Sequence, residues 1–453
     1  MSNSKAWSSR ITFLLASIGA AVGLGNLWRF PFVAGENGGG AFVLIYILFM
    51  LLICIPLVAA ELAIGRRGGG SAIGSMQHLR KAEKSHQFWD SIGWFSIIIP
   101  FIALSFYSVI ASWCLEYLFK AWSGAFANLD GIGSKLMFDE LLASPEKLIG
   151  LHTIIMGLTI AVVSLGLKSG LEKAVTGLIP LLFFILIALV VYAAINVPMQ
   201  PTFKFLFAMN FEKVTSNSIL LAFGQALFSV GLGVGALMTY GAYLPKKVSI
   251  FNSSIIIGVA DTLVALLAGL AIFPFVFAFS LSPGEGPGLI FVTLPVAFGK
   301  MSGGTIIGGL FFSLLFFAAF TSALAMLEPV VCYLEEKFKL PRLISTCLGG
   351  VIIWFIGIGT ALSFNSLSDF KPLSMISTLQ DKSIFGVLDF FVSNILLPLN
   401  AFLIAIYAGW IIKQSSLKEE ISFSTINKFK VWHLSIKYIA PPLILIIFIL
   451  GFK

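Results

Sequence analysis

Val-Gly-Leu-Gly occurs twice in this chain, at Val22–Gly25 and at Val230–Gly233, each time inside a long apolar run. A glycine costs roughly 1 kcal/mol in a helix interior, so paired glycines mark places where a helix stops bonding to itself. Such breaks persist at membrane depth only where protein or a water-filled cavity satisfies the freed backbone groups. Two glycine-interrupted segments at corresponding places in two halves point to a transport site between inverted repeats. Unwinding near Val22–Gly25 bares the amides of a half-helix N-terminus, which favour a carboxylate. Gly23 and Gly25 carry no side chain, so a carboxylate reaches the backbone there. The freed carbonyls of Ala21, Phe228 and Ser229 accept from an ammonium group. The chemistry of the two breaks therefore suits a zwitterion.

A second chemical signal is Asp261, which stands in the otherwise apolar run Gly258–Leu263. A carboxylate inside a membrane span is costly and marks function by default. Arg29, Glu61, Glu116, Glu328 and Asp389 are the other ionisable groups within apolar stretches. They are too few and too dispersed for a membrane enzyme. The four histidines are scattered, with no metal-binding spacing, and are expected in loops or at helix ends. The four cysteines fall in or beside apolar segments and read as small core residues.

These residues need elements to hold them, and composition says which. The chain has 453 residues, 58% apolar and 11% charged; soluble domains carry about 25% charged residues. The expected class is an all-α polytopic membrane protein in a single domain, residues 1–453. Eleven spans are expected, at about 10–34, 41–65, 90–120, 148–167, 170–196, 217–243, 248–279, 303–336, 342–363, 384–413 and 431–452. Spans one to five (about 10–196) and six to ten (about 217–413) form a five-plus-five inverted repeat. Helices 1 and 6 are broken, and the helix at about 431–452 is extra.

The first ten residues are polar and show no signal-peptide pattern. The net charge of +8 reads as topology rather than nucleic-acid binding. Lys5/Arg10, Arg66/Arg67, Lys168/Lys173, Lys246/Lys247, Lys337/Lys339 and Lys413/Lys418 fall in alternate loops. The positive-inside rule then places the N-terminus in the cytoplasm of a bacterial inner membrane and Lys453 outside. Two outer loops, around 121–147 and 280–300, are candidate gates, and the run at 283–288 reads as an irregular turn. No continuous polar stripe suggests a channel, and no GxxxxGK[ST] motif suggests a primary pump.

The first span reads Gly19-Ala20-Ala21-Val22-Gly23-Leu24-Gly25-Asn26-Leu27-Trp28-Arg29-Phe30-Pro31, followed by Glu36-Asn37-Gly38-Gly39-Gly40. The sixth has Gln225-Ala226-Leu227-Phe228-Ser229, and the eighth has Phe317-Ala318-Ala319-Phe320-Thr321-Ser322. Over its whole length the chain resembles the neurotransmitter:sodium symporter family, whose bacterial members carry amino acids. The resemblance implies a first sodium site from Ala21, Asn26, Ser229, Asp261 and the substrate carboxylate. It implies a second from Gly19, Val22, Ala318, Thr321 and Ser322. The substrate site would comprise Ala21, Gly23, Leu24, Gly25, Ala103, Tyr107, Phe228, Ser229, Gly231, Val234, Ser322 and Met326. An outer gate would pair Arg29 with Asp389 beneath the lid of Tyr107 and Phe228. An inner gate would use Trp7, Arg10, Tyr243 and Glu336. The family's basic residue there falls at Ser4, with Lys5 beside it. Glu61 would bond the unwound sixth helix.

Amine carriers of this family place an Asp where this chain has Gly23, which favours an amino acid over an amine. Many relatives have Asn at Asp261, and chloride-dependent members place a Ser where this chain has Ala265. Tyr46, Gln225 and Ser229 match the remaining chloride positions. The expectation is that Asp261 supplies the fixed negative charge, so that two sodium ions are needed and chloride is not. Ala103, Gly231 and Val234 are small, and Met326 is adaptable. The pocket should admit bulky hydrophobic L-amino acids; the alternative substrate is a small osmolyte such as taurine or a β-amino acid. Membrane lipid is the expected surroundings, and the oligomeric state is unspecified.

Overall fold

The computed structural model describes residues 6–281, 287–423 and 425–451. Ser4, Lys5 and Lys453 lie outside the described residues, as does most of the run at 283–288. Among the described residues the fold is all helical, without strands. Nine helices among the described residues are long and apolar enough to cross a bilayer, and a bent pair makes a tenth such unit.

The pair is α1a (Arg10–Ala21) and α1b (Gly25–Glu36), which meet at 61°. The long helices are α2 (Gly40–Gly68), α3 (Gln87–Trp122), α4 (Pro145–Ser164) and α5 (Leu167–Asn196). After the second broken segment come α7 (Ile250–Ala278), α8 (Gly304–Phe338), α9 (Arg342–Leu362), α10 (Ile384–Ile411) and α11 (Ile426–Leu450). The second broken segment comprises α6a (Ser216–Ser229) and α6b (Ala236–Ala242), each too short to cross alone.

Both broken helices begin in the same way. Ser9 caps α1a with a reciprocal bond to Thr12, and Thr215 caps α6a with one to Ser218. The two satisfy amides that an uncapped helix start leaves orphaned. α1a ends because Val22 turns extended, at φ −69° and ψ 110°. α6a ends in a stretch where Gly231, Gly233 and Gly235 take φ of +65°, +78° and +89°. Only glycine adopts such angles without strain.

α8 lies along α3, α5 and α1a, while α7 lies along α5 and α1b. The broken helices are thus surrounded by long continuous ones. α2 meets α6b with backbone almost in contact: a Cβ on Gly65 would lie 1.8 Å from the Met238 carbonyl. A Cβ on Gly241 would lie 2.5 Å from the Leu62 carbonyl. Small residues are what allow helices to approach this closely inside a membrane. The contact also brings Glu61, one turn before Gly65, to the α6 break.

Ten of the eleven expected spans fall on the long helices and the bent pair, while the sixth, at about 217–243, falls on the two short helices α6a and α6b. α11 begins at Ile426, five residues before the expected start at 431. The loops proposed as gates carry helices of their own, Gly131–Ala143 and Leu289–Lys300. His152 corrects the expectation for the histidines. It is fully buried within α4, and its Nε2 lies 3.1 Å from the Trp354 carbonyl of α9. There it joins two helices by a polar contact in an apolar setting. The four cysteines are free thiols, three of them buried.

Candidate functional site

The two breaks face each other across the middle of the bundle. At the α6 break the freed backbone is held by buried side chains. The Gly233 amide donates to Glu61 Oε1 at 2.5 Å. The Gly233 carbonyl accepts from Asn400 Nδ2 at 2.7 Å, and that nitrogen also reaches Ser96 Oγ at 3.1 Å. A buried unpaired backbone group costs about 1–3 kcal/mol, so these partners stabilise the opened segment. Glu61 therefore sits where the resemblance placed it; Asn400 had no signal in the sequence beyond being polar in an apolar run.

Between the breaks lies a cavity of about 100 Å³. One water needs roughly 10–15 Å³ on this measure, so the space suits a small molecule. Its wall includes all twelve positions expected for substrate: Ala21, Gly23, Leu24, Gly25, Ala103, Tyr107, Phe228, Ser229, Gly231, Val234, Ser322 and Met326. It also includes residues the sequence did not single out for it, among them Phe106, Ala325, Val392 and Leu397. Gly23 faces the hydroxyls of Ser322 and Tyr107, which a Cβ would approach to 3.3 and 3.4 Å. A Cβ on Gly25 would meet the Phe228 ring at 3.3 Å. Bare backbone and three hydroxyls, of Tyr107, Ser229 and Ser322, are thus gathered at the α1 side. The remaining wall is mostly apolar.

Beside this cavity is a buried polar cluster. Asp261 is fully buried and accepts from Asn26 Nδ2 at 2.8 Å, Ser229 Oγ at 2.7 Å and Tyr46 OH at 3.2 Å. Three donors converge on one carboxyl group, an arrangement suited to the ionised acid. The Asn26 side-chain oxygen is turned to the Gly23 amide at 3.0 Å. That amide is therefore already engaged, unlike the free donor expected from the sequence. Gln225 Nε2 reaches the Gly25 carbonyl at 3.4 Å.

A second oxygen cluster lies between α1a and α8. Ser322 Oγ is 3.3 Å from the Gly19 carbonyl and 3.2 Å from the Val22 carbonyl. Thr321 Oγ1 is 3.2 Å from the Ala318 carbonyl, and its Cβ lies against Gly19. Neutral hard oxygens suit an alkali cation better than a transition metal.

Residues 4–129 and 147–453 match the profile of the sodium:neurotransmitter symporter family. The chain belongs to that family. It is 38% identical over 447 residues to the uncharacterized sodium-dependent transporter YhdH of Bacillus subtilis, covering 98% of this chain and 96% of that protein. An uncharacterized sodium-dependent transporter of Haemophilus influenzae is 32% identical over 449 residues, covering 98% and 97%. Among solved structures, MhsT in complex with L-phenylalanine superposes with a TM-score of 0.88 at 39% identity, covering 98% of this chain and 99% of that one. The symporter is an integral membrane protein and a sodium-dependent transporter.

The symporter's two ends differ. At the Arg29 end, Arg29 and Asp389, which the resemblance pairs as an outer gate, form no ion pair within 4.0 Å. The Arg29 guanidinium instead lies 5.8 Å from the Phe228 ring centroid, a cation–π distance. Asp389 accepts from Ser393 at 3.0 Å. Phe228 is 40% exposed, so this end of the cavity is the more open one.

At the other end Trp7 and Tyr243 are buried. The Trp7 indole donates to the Tyr240 carbonyl at 3.0 Å and its amide to the Tyr243 carbonyl at 3.1 Å. Tyr243 donates to Glu328 at 2.9 Å, and Glu328 pairs with Arg342 at 2.5 Å. This pair, with Glu328 fully buried and Arg342 partly so, joins α8 to α9. Glu336 accepts from the Ser71 amide at 2.6 Å, at the start of the helix Ala72–Glu83. Arg10 is exposed. Glu116 pairs with Lys147 at 2.5 Å.

Proposed function

We propose that the symporter imports bulky hydrophobic L-amino acids, coupled to two sodium ions and independent of chloride, by alternating access. The observation that carries the reading is the polarity of the cavity. Backbone and hydroxyls face it at the α1 break, and apolar side chains face it elsewhere. In this reading the carboxylate of the substrate meets the first amides of α1b and the Tyr107 hydroxyl. Its ammonium meets the carbonyls of Ala21, Phe228 and Ser229. The carboxylate also completes the first sodium site, with Ala21, Asn26, Ser229 and Asp261, so ion and substrate stabilise each other. Gly19, Val22, Ala318, Thr321 and Ser322 hold the second ion.

Asp261 takes the place of chloride as the charge beside the first ion. Arg29 and Asp389 close the outer side over Phe228 and Tyr107. Trp7, Tyr243 and Glu336 belong to the inner side. We place the N-terminus in the cytoplasm and the C-terminus outside, with eleven spans in two inverted five-helix repeats plus α11. The matching capped starts of α1a and α6a support that pairing. The relative MhsT, solved with L-phenylalanine, supports the substrate class.

Uptake of labelled L-phenylalanine into proteoliposomes tests the reading. An inward sodium gradient should drive it, in chloride and in gluconate alike. Unlabelled leucine and tryptophan should compete better than glycine or taurine. Val234→Phe should penalise tryptophan and phenylalanine more than alanine, since overpacking costs about 1–3 kcal/mol. Competition led by taurine or glycine would overturn the substrate assignment.

A further inference from the structure

The cavity has a wall that the two breaks do not supply. Within α10, Phe391–Leu396 forms a π-turn. In a regular α-helix, residues five apart point about 140° away from each other, at 3.6 residues per turn. A π-turn takes up an extra residue and brings such positions back to one face. Val392 and Leu397 accordingly both line the central cavity. They form a buried cluster with Ile99, Ala103 and Phe106 of α3, separate from the main core. Val392 is 2% exposed.

We infer that the π-turn of α10 builds the far wall of the substrate site and that Val392 sets the largest side chain the site admits. The inference rests on the amino-acid reading above and specifies it further. The polar groups of the cavity sit at Gly23, Gly25, Tyr107 and Ser322, so a zwitterion held there directs its side chain away from α1. Ala103, Phe106 and Val392 offer that side chain no polar atom. The site therefore selects by volume, and takes aliphatic or aromatic side chains. Leu397 and Phe228 also line a second, smaller cavity with Leu232 and Ile447, whereas Val392 lines the central one alone of the two. Val392 is for that reason the residue whose substitution reports on the wall itself. The positioning device is the π-turn: without the extra residue, Val392 and Leu397 would not share a face.

The test uses the purified full-length protein in sodium, wild type against Val392→Ala, Val392→Leu and Val392→Phe. Affinities for L-alanine, L-leucine, L-phenylalanine and L-tryptophan are read from ligand-induced thermal stabilisation. One methylene in an apolar pocket is worth roughly ten- to two-hundredfold in discrimination. Val392→Phe should weaken tryptophan and phenylalanine at least tenfold relative to alanine. Val392→Leu should give the same order at smaller amplitude, and decides the matter if the Phe variant does not fold. Val392→Ala should shift the ranking of the four ligands toward tryptophan. An unchanged ranking in the variants, or equal weakening of all four ligands, would overturn the inference alone. A wild-type protein that binds none of the four would overturn the amino-acid reading on which it rests.

Discussion

Replacing Asp261 by Asn changes one atom and should change ion use. Asp261 Oδ2 accepts from Ser229 and Tyr46, and Oδ1 from Asn26. An amide keeps only one accepting oxygen. With its nitrogen at the Oδ2 position it loses two donors; at the Oδ1 position it loses one. A hydrogen bond to a charged group contributes about 1.5–3 kcal/mol. Losing one therefore corresponds to a roughly ten- to 150-fold weaker hold on the side chains that share the proposed sodium site, at 1.4 kcal/mol per decade. The lost charge adds to that. The assay is a sodium titration of L-phenylalanine-induced stabilisation, in chloride and in gluconate. Wild type should give the same sodium curve in both anions. Asp261→Asn should need at least about tenfold more sodium, on the arithmetic above. Adding Ala265→Ser should restore sodium affinity in chloride and not in gluconate. A sodium curve for Asp261→Asn within threefold of wild type, with the protein folded, would refute the reasoning.

Other outcomes follow from the same geometry. Arg29→Ala or Asp389→Ala should reduce uptake far more than equilibrium binding, because the pair closes the open end rather than lining the cavity; comparable losses in a filter-binding and an uptake assay would contradict this. Gly233→Ala should lower the thermal midpoint, since a left-handed φ costs a non-glycine residue roughly 1–2 kcal/mol and its Cβ would sit 3.0 Å from the Leu397 carbonyl. Arg342→Ala strands the buried Glu328 carboxylate. Breaking such a pair from one side costs about 3–5 kcal/mol. Glu328→Gln in the same background should recover part of that loss in a melting experiment.

The parts of the site that the sequence made legible are those written as local signals. Gly23, Gly25, Gly231 and Gly233 are conspicuous because glycine is costly in a helix, and both breaks lie where they fall. Asp261 is conspicuous because a lone acid in an apolar run is costly. The twelve expected wall residues meet in one cavity, and that rested on the long opening motif as well as on the glycines. What escaped was set by geometry that leaves no periodic trace. Val392 and Leu397 share a face only through a π-turn, and no spacing rule for a regular helix pairs residues five apart. Asn400 reaches Gly233 from 167 positions away in sequence. Arg342 stands in sequence beside the basic loop residues Lys337 and Lys339, yet its guanidinium turns inward to Glu328. The open Arg29–Asp389 end is a matter of conformation, on which sequence is silent: Arg29 has an alternative partner in the Phe228 ring, and Asp389 has one in Ser393.

The central claim is that one carboxylate, brought by the substrate, joins an amino acid to sodium. Thermodynamic linkage makes this measurable, because two ligands that stabilise each other must do so by equal factors. The measurement is the affinity of purified protein for L-phenylalanine across a sodium series, together with its affinity for sodium across an L-phenylalanine series, potassium replacing sodium throughout. The account predicts that each ligand tightens the other by the same factor of ten or more, and that the decarboxylated analogue phenethylamine does not. Independent binding of the two ligands, or equal coupling to phenethylamine, would contradict it.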